Sequence, residues 1–417
     1  MPRKLQDALV SALAVGFGLL IAVTPVLAAD RVKDLHYFDI NDGQFPEAGL
    51  IFDAGGNLYG TTTNGGKLDN CDNGDTMGCG VVFQLVSQAH GKWTEKVLYR
   101  FKGERDGIEP VAGVIFDTDG NLYGTTPGGG VYQSGTAFEL TPTANGEWAH
   151  RILYSFGGSD GSIPMAGLVF DSAGNLYGTA GYGGSHGAGS VYRLAPGANG
   201  HWVLSTLHSF NSDDGAHPVS ALVFDAVGNL YGTTMYGGTY GQGTVFQLTP
   251  GADDKWMEKV LHSFKGGRDP GMPAAGMAID KTGNLYGTTT SNGAAFELSP
   301  RANGSWSYTV LHEFDSLESG YPPSGVLILD AAGNLYGTTE YGGTSCGQVG
   351  CGTVFELRPK PGGGWREVVL VSLGGDAYPQ SGVIFDASGN LYGTSRQGSN
   401  GKNCIGYGCG SVWEVRP

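Results

Sequence analysis

Asp160, Asp214 and His217 are the residues in this chain whose types best suit proton transfer. Asp214 and His217 stand in one short segment ahead of a proline, and Asp160 holds the matching place one repeat earlier. Carboxylates beside an imidazole can act as general acid and base, as in a hydrolase or lyase working on polysaccharide. Other residues suit binding instead. Tyr182, Tyr236 and Tyr341 each lie seven residues after a repeated asparagine and precede a Gly-Gly pair. Rings held that way can stack on sugars or receive a protein anchor. His186 lies in the same loop as Tyr182, and with His217 it is a candidate ligand contact. The run Asp69-Asn-Cys-Asp72-Asn73-Gly-Asp75 is rich in oxygen donors and suggests Ca²⁺, although Cys71 stands where an EF-hand needs its third-position oxygen. No other cofactor is expected. The chain reads as lacking H-E-x-x-H, a phosphate-binding loop, a dinucleotide fingerprint and a G-x-S-x-G nucleophile elbow, so binding is favoured over catalysis.

The elements that must position these residues come from repetition. Gly-Asn-Leu-Tyr-Gly-Thr occurs seven times, with its asparagine at Asn57, Asn121, Asn175, Asn229, Asn284, Asn334 and Asn390. Successive gaps of 64, 54, 54, 55, 50 and 56 residues belong to solenoids or propellers. The chain's 74 glycines alternate with Val, Phe, Leu, Tyr and Thr in short runs, the pattern of many strands and tight turns. Each unit holds two β-runs flanking Asp-x-x-Gly-Asn, which is hairpin chemistry and excludes a parallel β-helix. Four antiparallel strands per unit follow, called A to D. The strand-C aromatic precedes the next Trp by 10 residues in all six complete cases, whereas the stretch from asparagine to aromatic runs from 12 to 26. Length variation is thus confined to the B–C loop, and variable loops on a fixed scaffold are where function concentrates.

Val32–Phe38 matches strand D, and the chain stops at Gly410–Val415, which matches strand C. An N-terminal strand completing the last unit closes a ring and removes open sheet edges. The expectation is an all-β, seven-bladed propeller over residues 30–417, four antiparallel strands per blade, closed three-plus-one by the N-terminal strand. Residues 1–28 read as an export signal: Arg3 and Lys4, an apolar run from Ala8, then Val26-Leu27-Ala28 as the cleavage site. The mature chain is expected to be secreted or periplasmic, monomeric and without a membrane span. Removing the signal moves the formal charge from −15 to −16, which repels phosphate backbones and argues against nucleic acid. In an exported chain the local pairs Cys71/Cys79, Cys346/Cys351 and Cys404/Cys409 read as disulfides rather than zinc ligands.

The repeat resembles that of the GloVer tandem-repeat family, of the form G-L-x-x-D-x-x-G-N-L-Y-G-T-T-x-x-G-G followed by G-x-V-F-x-L-x-P, W, V-L-x-x-F and D-G-x-x-P. The resemblance covers essentially the whole mature chain and implies export and tandem repeats. It brings no activity and no catalytic residues.

The seven aspartates from Asp53 to Asp386 that precede the repeated turn read as turn-formers, and His36, His208, His262 and His312 share a strand-D slot with Tyr99, Tyr154 and Val371, so they read as packing residues. The cysteine-bearing B–C loops of blades one, six and seven become neighbours in a closed ring and should form a ridge. Blade five, with the shortest loop, should leave a low gap. Ligand contacts are expected to centre on Tyr182, Tyr236, His217 and Tyr341, the ligand being a glycan or an extracytoplasmic protein.

Overall fold

The repeated aspartate explains why each unit begins as it does. In blade three the Asp171 carboxylate accepts the Asn175 backbone N–H at 2.9 Å, the Asn175 side-chain amide at 2.7 Å and the Tyr177 hydroxyl at 3.0 Å. The same clasp recurs at Asp53, Asp117, Asp225, Asp280, Asp330 and Asp386. Burial would raise the Asp171 carboxyl's pKa, but the bonds from Asn175 and Tyr177 outweigh it and hold the group below the usual carboxylate range. These carboxylates are the turn-formers that their position suggested.

The four residues after the asparagine each make a different contact. Leu176 is fully buried. Tyr123 of blade two lies between Phe170 and Trp202 of blade three, at 5.1 and 6.1 Å between ring centroids, so this tyrosine joins neighbouring blades. The glycine sits under the strand-C aromatic: a Cβ on Gly232 would lie 2.5 Å from Phe246 Cζ. The following threonine donates to a backbone carbonyl of the next blade, as Thr125 does to Ala166 at 2.9 Å. Leu-Tyr-Gly-Thr is therefore core, blade junction, aromatic seat and blade junction in succession.

The computed structural model describes residues 31–67, 71, 77–398, 404 and 408–417. The proposed export signal and the oxygen-rich run with Asp69, Asp72, Asn73 and Asp75 lie outside the described residues. Among those described, seven four-stranded sheets form, each in the order A-B-C-D and antiparallel throughout. Blade one comprises Ile51–Phe52, Leu58–Thr62, Val81–Ser87 and Trp93–Arg100. In blade seven, Ile384–Phe385, Leu391–Ser395 and Ser411–Val415 are completed by Val32–Tyr37, with Val32 opposite Val415 and Tyr37 opposite Ser411. Thr394 of blade seven then donates to Ala48 ahead of blade one at 3.1 Å, across 346 residues of sequence. The protein is a seven-bladed β-propeller closed by its N-terminal strand. The disulfides Cys71–Cys79, Cys346–Cys351 and Cys404–Cys409 are formed, as the local pairs implied.

Adjacent blades meet closely through the chain entering strand A. A Cβ on Gly113 would lie 2.8 Å from the Gly49 carbonyl oxygen, and one on Gly382 would lie 2.4 Å from that of Val326. The D–A and B–C loops emerge together on one face, tied by short antiparallel bridges such as Ser162 to Tyr182 and Ala216 to Tyr236. No helix among the described residues is long and apolar enough to cross a membrane.

Candidate functional site

Each D–A loop carries one residue immediately before its proline. Six of these residues have left-handed backbones: Phe45 (φ 60°), Glu109 (61°), Ile163 (56°), His217 (55°), Met272 (56°) and Tyr378 (46°). Glycine adopts this region readily; other residues do so at about 1–3 kcal/mol each, and a β-branched one such as Ile163 least willingly. Hydrogen bonds hold the conformation. The Ile163 N–H donates to Ser134 of blade two at 2.8 Å, and its carbonyl accepts the Gly181 N–H of blade three at 3.1 Å. His217 makes the same pair with Ala188 and Met235, at 2.9 and 3.0 Å. The six side chains are all half-buried and chemically unlike. All but His217 were missed in the sequence, because a residue before proline gives no sign of a left-handed backbone.

The tyrosine slots interleave with this ring. His217 meets Tyr182 edge-on at 4.3 Å and Tyr236 edge-on at 5.4 Å, so one imidazole stands between exposed rings from two blades. Three of the four residues expected at the centre of the site are thus brought together. Tyr341 is on the far side, 5.4 Å from Tyr378, the ring member contributed by blade seven. Burial, then Glu340, pushes the Tyr341 hydroxyl's pKa upward. Nearby the Arg396 guanidinium pairs with Glu47 at 2.5 Å and lies 5.1 Å over the Phe45 ring. The face therefore has one aromatic cluster at blades three and four and a second at blades six, seven and one, where the Arg396–Glu47 pair lies beside the rings.

His186 is exposed in the B–C loop of blade three and touches Ser185, Oγ to Nδ1 at 3.0 Å. Asp160 and Asp214 are both engaged. The Asp214 carboxylate accepts the Asn211 N–H at 3.0 Å and the His208 ring N–H at 3.1 Å. That of Asp160 accepts the Gly157 N–H at 3.0 Å and the Tyr154 hydroxyl. Strand-D histidines and tyrosines are thus hydrogen-bond partners of the D–A aspartates as well as packing residues. Three stretches do spell G-x-S-x-G, Gly157–Gly161 around Ser159, Gly183–Gly187 around Ser185 and Gly343–Gly347 around Ser345, which corrects the expectation that the letters are absent. Each lies in a loop between strands, so the strand-to-helix turn that exposes a nucleophile is not built.

At blade five the short B–C turn leaves a gap, as its length implied. A cavity of about 400 Å³ opens there, lined by Arg268, Asn292, Glu313, Asp315, Leu317 and Tyr321 among others. The ridge expected from blades one, six and seven cannot be traced, because parts of the blade-one and blade-seven loops lie outside the described residues.

Farther out, at the seams between blades, a second series appears. The residue two after each strand-D tryptophan faces the strand-D histidine slot of the preceding blade. His208 of blade three, Asp214 of the loop beyond it and Glu258 of blade four bring one ligand atom each to within 4.8 Å of one another. Burial, then the Asp214 charge, pushes the Glu258 carboxyl up to about 7. Burial lowers the His208 pKa against the opposing pull of Asp214. His36, Asp42 and Glu95 supply the same residue types at the seam between blades seven and one, where burial, then Asp42, raises Glu95 to about 8 against the opposing pull of Arg100. At the seam between blades four and five the pair is aromatic, with Tyr308 stacked on His262 at 4.0 Å.

Fold and face together define a seven-bladed propeller whose loops of one face carry its chemical variety. The Gloeobacter/Verrucomicrobia repeat family profile matches residues 68–298 and 257–412. The chain belongs to that family, in accord with the resemblance of its repeat. No curated protein matches it. Among solved structures, virginiamycin B lyase from Staphylococcus aureus is similar at 12% identity and a TM-score of 0.56, over 93% of this chain and 99% of that one. A protein from Lactobacillus plantarum is similar at 12% identity and 0.49, over 75% and 84%. At such identities the likeness is one of fold.

Proposed function

We propose that the protein is a non-catalytic binding module of the extracytoplasmic space that holds a glycan chain on its D–A/B–C face. One observation carries the reading: six strained, chemically different side chains ring that face at positions where glycine would cost less, with the Tyr182–His217–Tyr236 cluster seated among them. Flat rings presented by rigid backbone suit the apolar faces of sugar rings, and the Arg396–Glu47 side supplies hydrogen bonds to hydroxyls. The three disulfides suit an oxidising compartment and agree with residues 1–28 as an export signal. The net charge of −15 disfavours nucleic acid.

The test is a glycan array probed with the mature chain, run beside a polysaccharide-degradation screen. Binding to a defined glycan class, weakened at least tenfold by Tyr182→Ala with Tyr236→Ala, supports the reading. Turnover of a polysaccharide that is lost in Asp214→Ala would replace it with a hydrolase or lyase. Capture of a protein and of no glycan would move the ligand to a protein partner.

A further inference from the structure

The seam between blades three and four holds donors of three kinds from three separate elements. His208 comes from the strand Trp202–Ser209, Asp214 from the loop that follows, and Glu258 from the strand Trp256–Ser263 of the next blade. His208 Nε2 lies 3.1 Å from Asp214 Oδ2, and one carboxylate oxygen of Glu258 completes a set within 4.8 Å. In a tetrahedral site with metal–ligand bonds of about 2.0–2.1 Å, ligand atoms lie about 3.3 Å apart. The His208–Asp214 edge already has that length. Closing the third corner needs a shift of at most about 1.5 Å, within reach of a glutamate side chain.

The remaining bonds leave the set open in the right direction. Asp214 Oδ1 is occupied by the Asn211 N–H, so Oδ2 is the oxygen turned toward His208. Glu258 Oε1 is buried with no hydrogen-bond partner. A buried acceptor left that way is costly, and a cation would supply the partner it lacks. The His208 and Asp214 side chains keep 19% and 18% of their exposure, so an ion has a path from solvent. Other seams, built from the same repeat, show what is particular here: at the seam between blades seven and one, His36, Asp42 and Glu95 are the same residue types but are not gathered within 4.8 Å of one another. At the seam between blades five and six, His312 meets Glu367 at 3.4 Å, but Ser319 stands where the aspartate would be. At the seam between blades four and five the glutamate is replaced by Tyr308, stacked flat on His262.

We infer that His208, Asp214 and Glu258 form a binding site for a divalent transition-metal ion of the zinc type, which pins the D–A loop between blades three and four. An imidazole nitrogen with two carboxylates suits zinc or manganese, whereas calcium prefers oxygen ligands alone. Three protein ligands leave at least one position for water. Asp214 is separated from His217 only by Gly215 and Ala216, so the ion would fix the loop that presents the aromatic cluster. The inference does not depend on what that cluster binds.

Isothermal titration of the metal-free mature chain with Zn²⁺, Mn²⁺ and Ca²⁺ in separate runs tests it. The expected result is one site for Zn²⁺, weaker binding of Mn²⁺ and none of Ca²⁺ at the same concentrations. Glu258→Gln and His208→Ala should each weaken Zn²⁺ at least tenfold, with the same far-UV spectrum as the parent. His186→Ala, which removes an exposed histidine of the neighbouring loop, should leave the affinity unchanged. An absence of Zn²⁺ binding overturns the inference, as does Zn²⁺ binding that survives both ligand substitutions or is lost with His186. Should the two variants fail to fold, Zn²⁺ protection of the His208 ring proton signals in the parent chain decides the matter.

Discussion

Replacing Ile163 by glycine should leave the protein nearly as stable as before, although Ile163 is half-buried. An isoleucine cut to glycine in a half-buried strand position loses about 1–1.5 kcal/mol of apolar burial and up to about 1 kcal/mol in unfolded-chain entropy. At Ile163 the backbone sits at φ 56°, which costs a β-branched residue about 2 kcal/mol that glycine does not incur. The terms nearly cancel, so the net change should lie within about 1 kcal/mol. Ile163→Ala loses most of the burial and keeps part of the strain, so it should be the less stable of the two, reversing the usual order of alanine and glycine. Chemical denaturation of the two variants and the parent, compared at equal m-values, reads the effect. A loss of more than 3 kcal/mol in Ile163→Gly, or alanine more stable than glycine, would refute the argument. It would mean that the ring side chains are held for packing, and the face would lose its main claim to function.

Three further outcomes follow from the same contacts. Gly232→Ala should cost about 1–3 kcal/mol by driving a methyl into Phe246, and at least 1 kcal/mol of that should vanish when Phe246→Leu removes the ring; simple additivity in the double-mutant cycle argues against the aromatic seat. Asp171→Ala should cost about 2 kcal/mol at pH 7. Because the folded carboxyl's pKa is depressed, its stabilisation is present above about pH 4 and lost as pH falls through the folded value, so parent and variant should converge in acid, which thermal scans at pH 7 and pH 3 can check. Glu95 has the opposite sign. Its folded pKa of about 8 lies above that of an unfolded glutamate, so its favourable contribution is whole below about pH 4.5 and is lost as pH rises to 8. Glu95→Gln in metal-free protein should therefore gain about 1–2 kcal/mol on the parent between pH 5 and pH 9, after allowing for the partial exposure of the group; a constant difference across that range would count against it.

The fold was legible because its determinants are local and repeated. Asp-x-x-Gly-Asn writes the turn, the Leu-Tyr-Gly-Thr run writes strand B, and Val32–Tyr37 shows by its match to strand D where the ring must close. The site was legible only on the variable face, where Tyr182 and Tyr236 stood out in a variable slot and His217 as a loop histidine outside the strand-D packing slot. Two kinds of information were hidden. Backbone sign is one: nothing in Ser-Ile-Pro or Ala-His-Pro says that Ile163 and His217 are left-handed, since that follows from hydrogen bonds to two different blades. Pairing across a seam is the other. His208 and Glu258 are 50 residues apart and in different blades, so only the ring geometry shows that a glutamate answers a histidine there.

That a ring of strained residues survives at all is a consequence of the scaffold beneath it. A loop free to relax would bring φ at His217 back to negative values, because the gain of 1–3 kcal/mol is larger than the worth of a single exposed hydrogen bond. Here relaxation would also break the His217 N–H bond to Ala188 and the Met235 N–H bond to the His217 carbonyl, and these sit beside a glycine that has no room to adjust. A Cβ on Gly189 would lie 2.5 Å from Pro218 Cδ and 2.7 Å from the Ala180 carbonyl oxygen. Two blades and a proline therefore over-determine one residue, and the same lock recurs where Gly135 faces Pro164 and Gly410 faces Pro46. Such a lock fixes backbone and leaves side-chain identity free. Phe45, Glu109, Ile163, His217, Met272 and Tyr378 can then differ at little cost to the fold, which is how one repeated unit presents a face of six different chemistries.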